Sequence, residues 1–311
     1  MNPALSIIVF TVSSGAGLGL IAVTAIFAVF AIGDLSAGVV IRGLSCGLVL
    51  TAIGLAASTL HLANPKNAWR AFSRLRSSWL SREGVLAVLL FPVASIYLLG
   101  VSFANGAAGW MIKFAGLITV LLALATLFAT GMIYACLRTI RQWNTALVPA
   151  NYLLLGGVTG TLILNVIVVF EQGVSGIIAA FGIIMLAIAG MGKALYYLWI
   201  GKPQGATINT ATGFTRARVK LLDAGHSVGT FHTQEFGYQA STAWVSRWRG
   251  MVYAFGFVAP IALCAWSVQA QYAAAAVLAL ASTMLGVVTE RWLFFVEARH
   301  SINLYHGHQR V

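Results

Sequence analysis

The sequence predicts an all-α integral membrane bundle of eight transmembrane helices, and three observations carry that expectation. Of 311 residues, 59% are hydrophobic and only 8% are charged, whereas a soluble domain carries about 25% charged residues. The mean hydropathy is +0.88. The apolar residues also fall in long unbroken runs, and a helix that crosses a bilayer needs about 20 of them in succession.

Eight runs approach or exceed that length: 4–32, 39–63, 84–104, 108–137, 150–171, 174–200, 250–269 and 272–297. The opening MNPALSIIVF lacks the basic segment of a secretory signal, so its apolar residues are expected to begin the first span. The first and fourth runs are long enough to tilt or to project. Glycine, present 32 times, gathers in stretches such as GLGL and GGVTG, where small residues let neighbouring helices approach closely. The expected organisation is one membrane domain over 1–311, with an amphipathic interfacial connector at 65–83 and a long cytoplasmic connector at 201–249.

With eight spans, both termini share one side with the second, fourth and sixth connectors. Of the 19 Lys and Arg residues, only Arg42 and Lys113 fall on the other side. Short loops rich in Lys and Arg stay in the cytoplasm, so both termini and the basic connectors are expected there, in the inner (cytoplasmic) membrane of a bacterium. The net charge of +12 is then a matter of membrane orientation or of an acidic protein partner, not of nucleic acid. The 201–249 connector is too polar to span and too long to be a mere link. Such loops dock partners or are floppy, and docking is the favoured reading.

Several chemistries are missing. Cys46, Cys136 and Cys264 lie far apart within apolar runs. That spacing fits neither a zinc site nor an iron–sulfur cluster, and it reads as packing. A haem-binding bundle needs axial ligands, yet only His61 lies near a span in the first two hundred residues. His226, His232, His300, His306 and His308 fall in the long connector or the tail. No phosphate-binding loop, dinucleotide fingerprint or nucleophile triad is present. Neither a catalytic residue nor a metal site is expected in this chain.

The connector HLANPKNAWRAFSRLRSSWLSREG, residues 61–84, holds five of the 19 Lys and Arg residues. Lys66, Arg70 and Arg74 recur every four residues, and Trp69, Phe72, Leu75 and Trp79 every three or four. That pattern describes an amphipathic helix in the membrane interface. Its basic stripe faces lipid phosphates or an acidic partner. His61 stands at the entrance and Glu83 at the exit. A histidine at the rim of a span can exchange a proton near neutral pH, and a carboxylate nearby can relay it, a pairing suited to a quinone head group. The plainer readings are a histidine bonded to backbone, and a helix start with Ser81 as N-cap and Glu83 favouring the dipole. Glu290 and Arg291 interrupt the last span in VVTERWLFFVEARH. Ionisable groups inside a span are costly, and this pair serves either packing or a proton route. Lys193 can snorkel, and Asn165 can bridge helices.

These stretches resemble the membrane anchor subunits of dimethyl-sulfoxide-reductase-type molybdoenzymes. The likeness lies in the 61–84 connector, in NPALSIIVFTVSSGAGLGL, in MIYACLRTIRQWNTALVPANYLLLG and in ERWLFFVEARHSINLYHG, and it covers essentially the whole chain. It implies an anchor without haem that holds an iron–sulfur subunit and a molybdopterin catalytic subunit, those cofactors belonging to the partners only. It also implies electron exchange with a quinone, ubiquinone or menaquinone, near the iron–sulfur subunit. The family's quinone-site histidine and glutamate map onto His61 and Glu83, in the HLxNP and SxE contexts preserved here. Trp69, Arg70, Arg74 and Arg82 become candidate contacts for quinone or partner. A connector on the basic side places the catalytic subunits in the cytoplasm, which resembles the branch that oxidises sulfite to sulfate and passes the electrons to quinone. The same anchor run backwards, oxidising quinol for a dimethyl sulfoxide or related terminal reductase, is the alternative. A small-solute transporter is a second alternative, disfavoured because transporters place polar sites near the midplane.

Overall fold

The computed structural model describes residues 1, 3–60, 65–104, 109–202, 205–214, 216–223, 228, 230, 235–238 and 240–311. Eight of its helices are long and apolar enough to cross a membrane. They are α1 (Leu5–Val29), α2 (Ala37–Thr59), α3 (Trp79–Phe103), α4 (Trp110–Ala135), α5 (Leu147–Gln172), α6 (Gly176–Gly201), α8 (Thr242–Ala270) and α9 (Ala273–Val296). A short helix, α7 (Ile208–Thr212), lies in the long polar connector. Among the described residues there is no strand, only isolated bridges between Ile140 and His300 and between Thr207 and Arg310.

Two boundaries move relative to the sequence reading. Helix α3 begins at Trp79 because Ser78, not Ser81, is the N-cap: its side chain accepts from the Ser81 amide at 3.4 Å. A cap satisfies an otherwise orphaned amide, and it draws Ser81 and Glu83 inside the helix. Helix α8 begins at Thr242, where Ser241 accepts from the Trp244 amide. Near its middle, a wider turn over Ala254–Val258 precedes Pro260. Proline has no N–H and crowds the preceding turn. The Ala259 amide therefore reaches back to Ala254. The Phe255 carbonyl instead accepts from Ser282 of α9 at 2.8 Å.

Helix α1 is the axis of the bundle. Its most apolar stretch is 78% buried and that of α5 is 61% buried, against 44% or less for the others. Helices α2, α4, α5 and α9 all touch α1, and α3 closes against α4. Helices α6 and α8 form an outer group with α9, joined to the axis through α5 and α9. The glycine stretches explain how the axis packs. A Cβ at Gly160 would meet the Gly19 carbonyl carbon at 2.2 Å, and one at Gly19 would meet the Gly156 oxygen at 1.8 Å. Small residues are what allow backbones to approach so closely in a bilayer, where no hydrophobic effect drives helix against helix.

Polar contacts close both ends. At one end, Ser36 caps α2 and donates to Glu171 at 3.1 Å. Arg42 pairs with the same carboxylate at 3.4 Å. At the other, basic end, the Trp143 indole donates to the Phe294 carbonyl at 3.0 Å, the Ser301 amide to Thr139 at 2.9 Å, and the Val311 amide to Ala206 at 3.1 Å. The tail after α9 thus stitches together the connectors that follow α4 and α6.

This packing makes a testable contrast. Gly160→Leu places a side chain where backbone stands, and overpacking of this kind costs about 1–3 kcal/mol or more. Gly15→Ala meets nothing within 4 Å and should be neutral. Thermal unfolding of the detergent-solubilised protein should show a lowered midpoint for Gly160→Leu only. Equal midpoints would contradict the α1 and α5 contact.

Candidate functional site

Glu83 is the sequence-predicted residue that the structure sets most firmly. The early start of α3 carries it one turn into the bundle, where it is only 4% exposed. Thr130 of α4 donates to its Oε1 at 2.5 Å. The Thr130 oxygen also lies 3.0 Å from the Thr126 carbonyl, and a hydroxyl has a single proton to give. With Glu83 ionised, that proton goes to the carboxylate. With Glu83 protonated, the carboxyl donates to Thr130 and the hydroxyl turns to Thr126. The pair therefore offers a proton-dependent change of hydrogen bonding at the basic end of the bundle.

The connector folds over this position. Residues Pro65–Arg74 form a tight helical segment, and Phe72 comes close to a Cβ built at Gly84, at 3.3 Å. Trp69, Arg70 and Arg74 are exposed, with the Arg70 guanidinium 5.8 Å from the Trp69 ring. Arg82 is held differently. It stacks 4.2 Å from the Trp79 ring and donates to the carbonyls of Leu75 and Arg76 at 2.9 and 2.8 Å. It pins the connector to α3. His61 lies outside the described residues.

Glu290 and Arg291 of α9 belong to a buried ion cluster that the sequence discloses only in part. Arg291 Nε lies 2.5 Å from Glu290 Oε2, and Lys193 of α6 pairs with Glu290 Oε1. All three are at most 2% exposed. Lys193 therefore does not snorkel: Glu290 faces it across the helix interface and offers a better partner than distant water. One carboxylate cannot neutralise two cations, and aromatic faces take up the remainder. Arg291 lies 4.2 Å from the Tyr152 ring and 5.1 Å from that of Phe294. Lys193 lies 4.1 and 4.7 Å from Tyr196 and Tyr197.

Toward the end of the bundle, Arg249 of α8 pairs with Glu297 at 2.5 Å and lies 4.5 Å from the Tyr197 ring. Burial pushes the Glu297 carboxyl up, against the pull of Arg249. Both line a cavity of about 430 Å³, with Arg141, Lys202, Arg299 and Arg310 also at its walls. Tyr134 and Tyr152 stack with centroids 5.8 Å apart between the Glu83 and Arg291 positions. Sequence reading misses Thr130, Tyr134, Tyr152, Arg249 and Glu297 as site residues. Their signal is weak: hydroxyl, phenol and charged side chains near the ends of spans, each ordinary taken alone. Among the described residues, no group of three or more His, Cys, Asp or Glu could hold a metal ion.

Glu290→Gln would leave two buried cations without their counterion, at about 3–5 kcal/mol. Lys193→Met keeps Glu290 paired with Arg291 and should cost less. A larger fall in thermal midpoint for Lys193→Met than for Glu290→Gln would contradict this charge balance.

Comparison with known proteins agrees with this architecture. Residues 1–297 match the family described as DMSO reductase anchor subunit (DmsC). The chain is also similar to a sulfite dehydrogenase subunit of Allochromatium vinosum, 29% identical across 98% of this chain and 99% of that protein. A family match spanning all eight apolar helices means that this chain is a multi-pass membrane protein that belongs to the DMSO reductase anchor subunit family, the membrane anchor of an oxidoreductase complex.

Proposed function

We propose that this chain is the quinone-reactive anchor of a molybdopterin and iron–sulfur oxidoreductase that oxidises sulfite to sulfate. The observation that carries the reading is Glu83. It is a buried carboxylate with one hydroxyl partner, one turn beneath a connector that carries exposed Trp69, Arg70 and Arg74. Two electrons leave the partner's iron–sulfur chain and enter a quinone held between the connector and the start of α3. Two protons join the same quinone to give the quinol. Glu83 supplies one of them and His61 the other, and both are replenished from the basic side. The proposed quinone is ubiquinone or menaquinone, and the haem-free anchor contributes positioning and proton exchange while the metal centres stay in the partners.

The charge bias of the connectors supports a cytoplasmic location for both termini and for the catalytic partners, in a bacterial inner membrane. The exposed basic connector suits an acidic iron–sulfur partner, and so does the 201–249 connector. With protons and electrons both arriving from the cytoplasm, turnover at this site moves no net charge across the membrane. The relative's description favours sulfite as the substrate of the complex. The family description favours a second reading, in which the same site oxidises quinol and feeds a dimethyl sulfoxide reductase. The site chemistry is the same in both, because direction follows from the potentials of partner and quinone.

Replacing His61 by Ala, or Glu83 by Gln, should lower quinone-linked turnover of the assembled complex by about a hundredfold or more. Reduction of an artificial dye at the catalytic subunit should stay intact. Sulfite-dependent reduction of a soluble ubiquinone analogue measures the first and a dye assay the second. Quinone turnover at the native rate in both variants would remove the site assignment.

A further inference from the structure

The polar groups beneath the basic end form more than separate pairs. They make one lateral layer through six helices. It begins at Glu83 on α3 and Thr130 on α4. Tyr134 lies one turn further along α4 and interacts electrostatically with Glu83 and with Tyr152 of α5. Tyr152 lies against Arg291. Arg291 pairs with Glu290, and Glu290 with Lys193 on α6. Lys193 sits over Tyr196 and Tyr197 and interacts with Glu297. Glu297 and Arg249 open into the basic-side cavity. The remaining walls of the layer are apolar and aromatic: Trp143, Phe294, Phe295 and Leu155 belong to the same buried cluster.

Several groups in this layer have polar capacity left over. The hydroxyls of Tyr196 and Tyr197 and the side-chain oxygen of Asn151 are buried with no hydrogen-bond partner in the protein, and the Tyr152 hydroxyl is shared between Arg291 and Tyr134. Asn151 faces Gly192, next to Lys193. Buried polar groups are almost always satisfied, by water where protein does not serve. A small pocket of about 20 Å³ beside Tyr152 and Arg291, lined also by Thr11 and Thr159, has room for one water. Packing alone does not call for four buried phenols, Tyr134, Tyr152, Tyr196 and Tyr197, along the line from Glu83 to Glu297. A chain of groups that can each accept one proton and donate another does.

We propose that this layer is the proton path between the basic-side cavity and Glu83. The inference rests on the quinone reading of Glu83 and adds the direction from which that residue is recharged. After Glu83 has given its proton to the reduced quinone, Tyr134 passes it another. Tyr134 refills from Tyr152, and Tyr152 from water beside Arg291, whose partner is Glu290 of the Lys193 and Glu290 pair. That pair refills through Glu297 from the cavity. Arg291 stays charged throughout and positions Glu290 and Tyr152. The route runs along one end of the bundle rather than across the membrane. In quinol oxidation the same protons travel in reverse.

The test uses the whole complex in proteoliposomes, with decylubiquinone as the quinone probe and an artificial dye as the control. Tyr134→Phe and Tyr152→Phe keep both rings and leave the buried ion cluster in place, and dye activity of the co-purified complex reports that assembly is retained. Each variant should lower kcat with decylubiquinone by at least about tenfold. KM and dye activity should be unchanged, and the solvent deuterium isotope effect should rise. Glu83→Gln is measured beside them. If Glu83→Gln loses quinone turnover while both phenylalanine variants keep the native kcat and isotope effect, the path is overturned and the quinone site stands. If Glu83→Gln also turns over at the native rate, the quinone site itself is wrong and the path falls with it. A rise in KM with unchanged kcat in the phenylalanine variants would assign the tyrosines to packing around the site and equally overturn the relay.

Discussion

Burying two cations against one carboxylate inside an apolar bundle is the constraint around which the basic end of this protein is built. Lys193, Glu290 and Arg291 are each at most 2% exposed. Such groups persist in a membrane only when partners surround them. Glu290 lies between the two cations, and four aromatic rings cover the charge that remains. Meeting that requirement fixes α9 against α6 through the ion pair and against α5 through Tyr152. It also places Tyr134 and Trp143 in the aromatic cluster around Phe294. The Trp143 indole then ties the connector after α4 to the backbone of α9.

The opposite arrangement governs the middle of the bundle. There α1 and α5 meet through Gly19, Gly156 and Gly160, with no polar group needed at the crossing. The bundle therefore has two kinds of helix contact: backbone against backbone at the axis, and charge against charge near one end. The proposed redox-linked proton exchange belongs to the second kind. The family's role as an anchor of oxidoreductase complexes fits a molecule in which 17 of the 19 Lys and Arg residues share one end.

The eight spans are legible in the sequence because hydropathy is a property of single residues summed over a run, and a bilayer reads that sum. The concentration of Lys and Arg in alternate connectors can be read from the sequence in the same way, residue by residue. Glu83 is marked by its position at the end of the connector, but its burial is not, because that depends on which serine caps α3. Ser78 takes the cap, and Glu83 moves one turn inward. Lys193 reads as a snorkelling side chain in the sequence, since its partner Glu290 stands 97 residues away and only helix packing brings them together. Tyr134 and Tyr152 give no sign for a related reason: a phenol in a span is common, and its role emerges only from neighbours on other helices. Arg82 groups with the exposed connector cations by spacing, whereas its local hydrogen bonds to Leu75 and Arg76 give it a bracing role.

The central claim is that a quinone reacts at the basic end, between the connector and the start of α3. Photoaffinity labelling with an azido-quinone, applied to the native complex in membranes and mapped by peptide mass spectrometry, addresses it most directly. A quinone at that position predicts quinone-competable labelling within residues 61–84 or on the Thr130 turn of α4. Competable labelling confined to the opposite end of the bundle, around Arg42 and Glu171, would contradict it.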